Sequence, residues 1–237
     1  MLEVFRFQTN KGVGQLNFKS ECEMFDYLEK YCYTDAFSDI LDEMGFRFQV
    51  IPPSANIRPL KQDHVVMGRA CTMLNVRDSN QENPYELVIE CIEQLKPSSI
   101  LVTTGKEKFE EGIMGELSAT ALKAVGCRGA VVNGYTRDIR KLILMDFPTF
   151  AWGPSPIDTT GRLRVTEYNI PITIKGIPVR PSDILFCDLD GIVVVPKEVE
   201  SDVISKVLER IQEENLVRQE LAEGRKISKV WDKYHIL

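Results

Sequence analysis

An arginine and an aspartate stand side by side at positions 137 and 138, where an apolar segment gives way to an amphipathic one. The apolar run 129–133 is typical of a buried strand, and residues 139–145 are typical of a helix. Arg137 and Asp138 are therefore expected in the turn at the carboxyl end of that strand. Because carboxylates bind hard cations and guanidinium groups bind anions, this pair could hold a metal ion and an anion side by side.

A second feature with chemical potential precedes the same strand. Gly115 stands at the start of a helix predicted over 115–125. Glycine at that position lets a ligand approach the backbone amides of Glu116, Leu117 and Ser118. These N–H groups lack partners within the helix and carry the positive end of the helix dipole, so they form a seat for a carboxylate.

Each of these residues also has an ordinary structural interpretation. Asp138 fits a plain helix N-cap, and Arg137 fits a surface or ion-paired arginine. Their joint occurrence with the glycines at this spacing favours the functional interpretation. The pair Asp188 and Asp190, directly before a glycine, favours a turn over a metal site. Lys106 has charged neighbours, which favours a solvated side chain over a Schiff-base lysine.

Helices and strands that alternate along the chain must position this segment. This alternation predicts an α/β layered architecture with short connections, followed by a β-rich half over 149–196. Helices are predicted over 34–45 with Thr34 as N-cap, from Pro84 to Leu95, over 115–125, over 139–145 and over 197–222. Strands are predicted over 65–74 with a weakening or bulge at Gly68, over 100–104 and over 129–133.

The composition restricts the class of protein. The chain has 237 residues, 43% apolar and 27% charged, as expected of one soluble globular domain. It contains no apolar run long enough to span a bilayer and no apparent leader, which predicts a cytoplasmic protein without membrane contact. The formal net charge of −6 and the absence of a basic stripe argue against nucleic-acid binding.

The cysteines and histidines narrow the chemistry further. Six cysteines are scattered without a CxxC pair, a pattern typical of reduced, buried thiols. His64 and His235 have no cysteine at zinc-ligand spacing and offer little to a catalytic triad. A bound metal would therefore need oxygen ligands, which favours Mg²⁺ or Mn²⁺ as the cofactor.

The segment GELSATALKAVGCRGAVVNGYTRD at 115–138 resembles the signature of the RraA-like family, which includes the 4-hydroxy-4-methyl-2-oxoglutarate aldolases. Two outlying segments agree with this resemblance: TDAFSD at 34–39 and VRPSDILFCDLDGIVVVP at 179–196. The resemblance covers roughly residues 34–200.

The resemblance implies roles for individual residues. Arg137 would bind the carboxylate or carbonyl region of a pyruvyl group, and Asp138 would be the direct protein ligand of the metal. The amides of 116–118, beside Gly115, would cradle the substrate carboxylate. The Glu116 carboxylate would hold metal-bound water and, with Arg137, would take part in catalysis.

Two positions depart from the family pattern. The aldolases more often carry aspartate where this chain has Glu116, which moves the carboxylate by about one methylene group. The family usually carries aspartate where this chain has Asn133, so a negative charge is missing there. The role of Glu116 is therefore less secure than that of Asp138.

The family also implies a fold and an assembly. The expected fold is a swivelling β/β/α-type domain, with a mixed central sheet and flanking helices. The expected assembly is a homotrimer, or a homohexamer of two trimers, with active sites in clefts between subunits. Residues 1–33 would form an extension that packs on the core, 34–200 the catalytic domain, and 201–237 a C-terminal helix and tail that could dock on a neighbour.

The activity implied is that of a class II pyruvate aldolase and oxaloacetate decarboxylase. Retro-aldol cleavage and β-decarboxylation of a 2-oxo-acid both pass through pyruvate enolate, so one site that stabilises an oxyanion serves both reactions. Two alternatives stay open: a non-catalytic ribonuclease E inhibitor of the same family and a lysine-dependent aldolase. The inhibitors depart from Arg-Asp, whereas this chain keeps Asp138. The sequence leaves open the native 2-oxo-acid and the choice between Mg²⁺ and Mn²⁺.

Overall fold

A mixed nine-stranded sheet forms the centre of the protein, and helices pack against it, as the α/β interpretation predicts. The structure is a computed structural model and describes residues 5–7, 16–79 and 82–237. In these ranges, no helix is long and apolar enough to cross a membrane.

The strands are short except for β5, which runs through the middle of the sheet. In chain order they are β1 (Phe5–Phe7), β2 (Leu16–Phe18), β3 (Val50–Ile51), β4 (Arg58–Pro59), β5 (Val66–Arg77), β6 (Ser99–Gly105), β7 (Gly112–Met114), β8 (Gly129–Val132), β9 (Tyr135–Thr136), β10 (Thr149–Ala151), β11 (Gly153–Pro154), β12 (Leu163–Tyr168), β13 (Ile172–Ile174), β14 (Ile177–Val179), β15 (Ile184–Cys187) and β16 (Ile192–Val195).

Of the helices in the described ranges, α2 to α6 match the five predicted ones, whereas α1 and α7 were not predicted. In chain order they are α1 (Glu21–Tyr31), α2 (Thr34–Glu43), α3 (Glu86–Gln94), α4 (Glu116–Ala124), α5 (Ile139–Leu144), α6 (Glu200–Ala222) and α7 (Ile227–Tyr234). Short 3₁₀ turns lie at Pro53–Ala55 and Lys197–Val199. The long helix predicted from 197 thus begins three residues later as regular α-helix.

The order of strands brings the carboxyl ends of the parallel strands to one edge. The sheet runs β3-β16-β15-β5-β6-β8-β10-β4, and β12 pairs with β5 outside this path. Strands β5, β6, β8 and β10 are parallel to one another, whereas β15 and β12 run antiparallel to β5. Because parallel strands end at the same edge, the turn after β8 lies where α/β proteins commonly bind ligands.

Alternate residues of each strand face opposite layers, so the sheet separates the main clusters of buried side chains. In β15, Phe186 faces α1, α2 and α6, while Leu185 faces the β13–β14 hairpin. Farther along the sheet, Ala130 and Val132 of β8 pack beneath α3, α4 and α5. The helix α4, which carries the predicted carboxylate seat, is anchored by fully buried Leu122.

Two local predictions were wrong. Thr34 is not the N-cap of α2; it is the first helical residue, and its hydroxyl donates to Asp188 Oδ1 at 2.7 Å. The Thr34 amide also donates to Asp188, at 2.9 Å, so a long-range carboxylate binds the first residue of the helix. Gly68 causes no bulge, because β5 pairs with β15 in regular register through Gly68, and its pairing with β6 begins at the next residue, Arg69. A Cβ at Gly68 would lie 2.6 Å from the Ser98 carbonyl oxygen, so the glycine permits close approach of the backbones.

The segment 149–196 is made of short strands, β10 to β16, as predicted, but it is not a unit apart from the rest of the fold. Strands β10, β12, β15 and β16 belong to the same sheet as β5, since non-local pairing joins them to it. In the N-terminal extension, helix α1 packs on this core: Phe25 and Leu28 share a buried cluster with Phe37 and Phe186. The boundaries at 33 and 200 stay a prediction.

Candidate active site

The turn after β8 and the start of α4 meet through a small three-stranded sheet. Strand β9, directly after that turn, pairs in parallel with β7, which directly precedes α4. The Arg137 amide donates to the Met114 carbonyl at 2.8 Å, and the Thr136 hydroxyl donates to the same oxygen at 2.5 Å. The structure therefore brings the two segments identified in the sequence, 115–118 and 137–138, into contact.

Asp138 has an unusual backbone conformation. Its φ of 57° and ψ of 28° are left-handed, a region that aspartate and asparagine enter more readily than other L-residues. It occupies the N-cap position of α5, but its side chain makes no capping hydrogen bond there. Instead, Asp138 Oδ2 accepts from the amide of Glu116 at 3.2 Å. The simple N-cap interpretation of Asp138 thus lacks the hydrogen bond that defines it.

Gly115 is the point of closest approach. A Cβ at this position would lie 2.7 Å from Asp138 Oδ2 and 2.8 Å from Arg137 Cγ. The backbone of Gly115 is extended, with φ of −131°, so no unusual conformation requires the glycine. Glycine is required because the Asp138 carboxylate and the aliphatic part of Arg137 leave no space for a side chain.

The Arg137 guanidinium lies between two acids. Its Nε is 3.8 Å from Asp138 Oδ2, and its Nη1 is 3.4 Å from Asp158 Oδ2. The side chains of Arg137 and Asp138 are both 36% exposed, so the pair remains open to solvent. The Thr160 amide, which donates to Asp158 at 3.1 Å, and then the charge of Arg137 hold the pKa of Asp158 below its ordinary value.

The Glu116 carboxylate has partners of its own. Its Oε1 accepts from the Thr120 hydroxyl at 3.2 Å, and its Oε2 lies 3.3 Å from Lys141 Nζ on α5. The Glu116 amide is engaged by Asp138. Of the three amides predicted to cradle a carboxylate, those of Leu117 and Ser118 are the ones left at the exposed end of the helix.

Only one of the two polar atoms of the Asn133 side chain, at the end of β8, is hydrogen-bonded among the described residues. Its Nδ2 donates to the Thr104 hydroxyl at 2.8 Å, whereas its buried Oδ1 finds no hydrogen-bond partner in the part of the chain that the structure describes.

A cavity of about 60 Å³ lies on the other side of α4. Ser118 and Met114 line it, together with Thr103, Tyr85 and Leu163 from neighbouring elements, and its wall is mostly apolar. Arg137 and Asp138 do not line it. The predicted site residues therefore stand at an open surface next to this cavity rather than inside it.

The donors present suit a hard cation. Across residues 16–79 and 82–237, no three His, Cys, Asp or Glu side chains cluster as a closed metal site. Asp138 supplies one carboxylate, and its side chain is 36% exposed, so a cation with bound water can reach it. Mg²⁺ is commonly bound by one or two carboxylates and completes its octahedron with water and substrate oxygens. These residues fit Mg²⁺ or the similar Mn²⁺ better than a metal that needs a full protein cage.

Sequence reasoning missed two participants. Asp158 holds the far side of the Arg137 guanidinium, and Lys141 pairs with Glu116. The Asp-Thr-Thr-Gly run that begins at Asp158 indicates a turn, but nothing in its spacing indicates which cation it meets. Lys141 lies three residues after Asp138, on a turn of helix that the sequence did predict.

The mixed sheet with flanking helices defines the chain as an α/β protein, and its candidate site is an acid–guanidinium pair on an open surface. The family model RraA-like, described as Aldolase/RraA, matches residues 34–194. The chain therefore belongs to the RraA-like family, which contains both 4-hydroxy-4-methyl-2-oxoglutarate aldolases and non-catalytic RraA regulators.

Individual relatives agree with this assignment. A protein of Halalkalibacterium halodurans named "Putative 4-hydroxy-4-methyl-2-oxoglutarate aldolase" is 30% identical over 153 residues, which span 65% of this chain and 70% of that protein. An uncharacterised Pseudomonas syringae protein of known structure superposes with a TM-score of 0.75 at 23% identity, covering 87% of this chain and 95% of its own.

A further solved structure carries a name from the RraA inhibitor proteins. Streptomyces coelicolor RraAS2, described as an unusual member of the RNase ES inhibitor RraA protein family, superposes with a TM-score of 0.72. The two chains are 22% identical, and the likeness covers 84% of this chain and 97% of that one. At such identities the structures establish the shared fold, and fold alone does not separate enzyme from regulator.

Proposed function

We propose that this protein is a divalent-metal-dependent carbon–carbon lyase that releases pyruvate from a small 4-hydroxy-2-oxo-acid or from oxaloacetate. The observation that carries the proposal is the arrangement around Gly115: a guanidinium and a carboxylate, 3.8 Å apart and both solvent-accessible, beside the start of α4. Asp138 and 116–118 would hold Mg²⁺ or Mn²⁺ and the substrate next to each other. The metal, when bound, would supply Lewis-acid stabilisation of negative charge on the substrate oxygens.

The protein's own groups would divide the remaining work. Arg137 would donate N–H bonds to the keto oxygen or carboxylate of the pyruvyl group and so stabilise the enolate that forms when the carbon–carbon bond breaks. The amides of Leu117 and Ser118 would bind the substrate carboxylate at the positive end of α4. Asp158 would keep the Arg137 guanidinium in place through its 3.4 Å contact.

Glu116 is proposed to hold the proton that the reaction moves. Its carboxylate is 25% exposed and already contacts Lys141 and Thr120, so it has a defined position and access to solvent. A carboxylate in such a position can take a proton from the substrate hydroxyl and return it to the enolate carbon. No protein nucleophile is needed for this chemistry.

We also propose that the active form is a homotrimer or a homohexamer. Two leucines support a subunit contact next to the site: Leu117 of α4 is 80% exposed and Leu144 of α5 is 75% exposed. Covering such side chains would favour association, and it would enclose an otherwise open site. Light scattering coupled to size-exclusion chromatography tests this assembly; a monomer with full activity would contradict it.

The alternative function is that of a non-catalytic regulator. RraAS2, named for an RNase inhibitor family, has the same fold as this chain. The acid that follows Arg137 distinguishes the two functions, because a regulator has no need of a metal ligand. The lysine-dependent alternative finds no support at Lys106, because the side chain of this residue is exposed to solvent. Resistance to chelator together with borohydride trapping would favour that alternative.

A coupled assay for pyruvate release tests the proposal. The substrates are oxaloacetate and 4-hydroxy-4-methyl-2-oxoglutarate, and each is assayed in the presence of Mg²⁺, Mn²⁺ or EDTA. We expect metal-dependent turnover that falls by about 10²–10³-fold in Asp138→Asn and in Arg137→Lys. Asp42→Asn and Arg47→Lys, which change exposed side chains on and after α2, serve as matched controls. The Asp138→Asn variant should also lose Mn²⁺ binding, measured by electron paramagnetic resonance.

The outcomes separate the hypotheses. Equal turnover with EDTA would refute the metal-dependent mechanism. Absence of pyruvate release from either substrate, in protein that binds Mn²⁺ through Asp138, would refute the assigned substrate class. Absence of both turnover and Mn²⁺ binding would favour a regulator.

A further inference from the structure

Two buried thiols face each other at a distance from the candidate active site. Cys71 lies on the central strand β5 and Cys91 on the helix α3 that covers it, and their Sγ atoms are 3.4 Å apart. A disulfide bond is about 2.05 Å long, so a closure of little more than about 1 Å would join them. Both side chains belong to the layer beneath α3 and α4.

A path from solvent reaches this pair. Cys71 and Cys91 both line a cavity of about 820 Å³, formed by the start of β6, the end of α3 and the loop before α6. Cys71 is 7% exposed and Cys91 is 1% exposed. The cavity wall is polar and contains charged side chains of both signs: Arg69 and Lys96 are positive, and Glu21 is negative. A small polar oxidant can therefore approach Cys71 first.

We propose that Cys71 and Cys91 form a redox modification site, which a hydroperoxide such as hydrogen peroxide converts to an intramolecular disulfide. The Cys71 thiolate attacks one peroxide oxygen; the O–O bond breaks, hydroxide leaves and takes up a proton, and Cys71 becomes a sulfenic acid. The Cys91 sulfur then attacks Cys71 Sγ. The S–O bond breaks, and the Cys91 proton leaves with the hydroxyl as water. In the complete reaction, two thiols and one peroxide yield one disulfide and two waters.

The difference between the two thiols supports this order. The hydrogen bond between the two thiols lowers the pKa of Cys71, whereas the same bond, together with burial, raises the pKa of Cys91, the less exposed of the two. Thiolate is the nucleophilic form, so Cys71 is the attacking group and Cys91 the resolving one. Cys127, in the same buried layer, is held differently, since its Sγ donates to the Gly129 carbonyl at 3.3 Å.

The chain offers a matched control within itself. Cys32 has the same 7% exposure as Cys71. Burial raises the pKa of Cys32 to about 12. It also lies in a different buried cluster, beneath α1, α2 and α6, which shares no residue with the cluster of Cys71 and Cys91. If exposure alone governed oxidation, Cys32 and Cys71 would react alike; if the pair governs it, Cys71 alone would be consumed.

The experiment is peptide mapping after treatment of the native, metal-loaded protein with hydrogen peroxide, followed by blocking of free thiols and digestion with trypsin. Cleavage after arginine and lysine, but not before proline, places Cys71 in the peptide 70–77 and Cys91 in 78–106, each with a single cysteine. We expect these two peptides to appear as one disulfide-linked species that dithiothreitol separates. Cys32 should stay free, and the Cys32→Ser variant should form the same linked species.

Cys71→Ser and Cys91→Ser should each abolish the linked species, and the Cys91→Ser variant should accumulate Cys71 sulfenic acid, detected with a dimedone probe. The proposal would be overturned if Cys71 and Cys91 both remained open to alkylation after peroxide, if Cys71 linked to Cys127, or if the linked species formed only in denaturant. The mapping of the wild-type protein decides the question even if a serine variant fails to fold. It is independent of any lyase activity.

Discussion

Gly115→Ala is the substitution that tests the site geometry most directly. The new methyl carbon would lie 2.7 Å from Asp138 Oδ2, about 0.7 Å inside the 3.4 Å at which ordinary van der Waals contact begins. The Asp138 carboxylate, or the Arg137 stem at 2.8 Å, must move by that amount. The hydrogen bond from the Glu116 amide to Asp138 Oδ2 is already 3.2 Å long, so a small displacement of the carboxylate would break it.

The expected effect on activity is large and that on stability small. A misplacement of about 1 Å costs roughly 10²-fold in rate, so a shift of about 0.7 Å should cost about 10- to 100-fold in kcat/KM for pyruvate release. The backbone of Gly115 is extended and accepts alanine, and the change at an N-cap costs about 1 kcal/mol. Steady-state kinetics and urea unfolding of the same preparation separate the two effects.

Gly191→Ala is the control for this experiment. A Cβ at Gly191 would meet nothing within 4 Å, and this glycine has no positive φ. Its alanine variant should keep the activity of the wild type. If Gly115→Ala also kept full activity and full Mn²⁺ affinity, the contact between Gly115 and the Arg137–Asp138 pair would have no part in function, and the reasoning from geometry would be refuted.

Three further predictions concern the supports of the fold and site. Asp158→Asn should lower kcat/KM roughly tenfold, mainly through KM, because Arg137 loses the partner that orients it; an unchanged KM would contradict this. Burial lowers the pKa of His64 from 6.5, so below pH 6.5 the unfolded state takes up a proton that the folded state does not. The urea concentration at the unfolding midpoint should therefore fall as the pH drops below 6.5, and it should fall less in the His64→Gln variant. The same dependence of the midpoint on pH in both proteins would contradict this prediction. Asp188→Asn should cost about 1–3 kcal/mol of stability, since its carboxylate accepts from Thr34 and two backbone amides, yet leave Mn²⁺ affinity unchanged. A changed affinity would show that Asp188 is more than a turn residue.

The elements that the sequence predicted well are those with strong local signals. The apolar run at 100–104 became β6, the run at 129–133 became β8, and the helix predicted over 115–125 became α4. The two strands are continuous buried runs and the helix has an apolar periodicity, and each element begins or ends at a glycine or a turn. The residues at 115–138 could therefore be assigned to a helix and a strand from local patterns alone.

What the sequence did not predict depends on non-local pairing. Strands β7, β9 and β11 have two or three residues each, too few for a period of two to be visible, yet they set the distance between Gly115 and Asp138. Asp158 reaches Arg137 across 21 positions of sequence, and Thr34 is bound by Asp188 across 154. Local preferences carry no information on such partners.

The left-handed backbone at Asp138 explains how two neighbours in sequence can serve one site. On a continuing strand, successive side chains point to opposite faces, so Arg137 and Asp138 would have been separated by the sheet. The φ of 57° turns the chain at Asp138, and the two charged groups meet at 3.8 Å on the same side. Asparagine tolerates this conformation almost as well as aspartate, whereas a β-branched residue does not. Asp138→Asn therefore removes the charge and keeps the turn, and Asp138→Val removes both. If the two variants were equally inactive but only the valine variant were destabilised, the charge would be what function requires, and the turn would be how the fold places that charge beside Arg137.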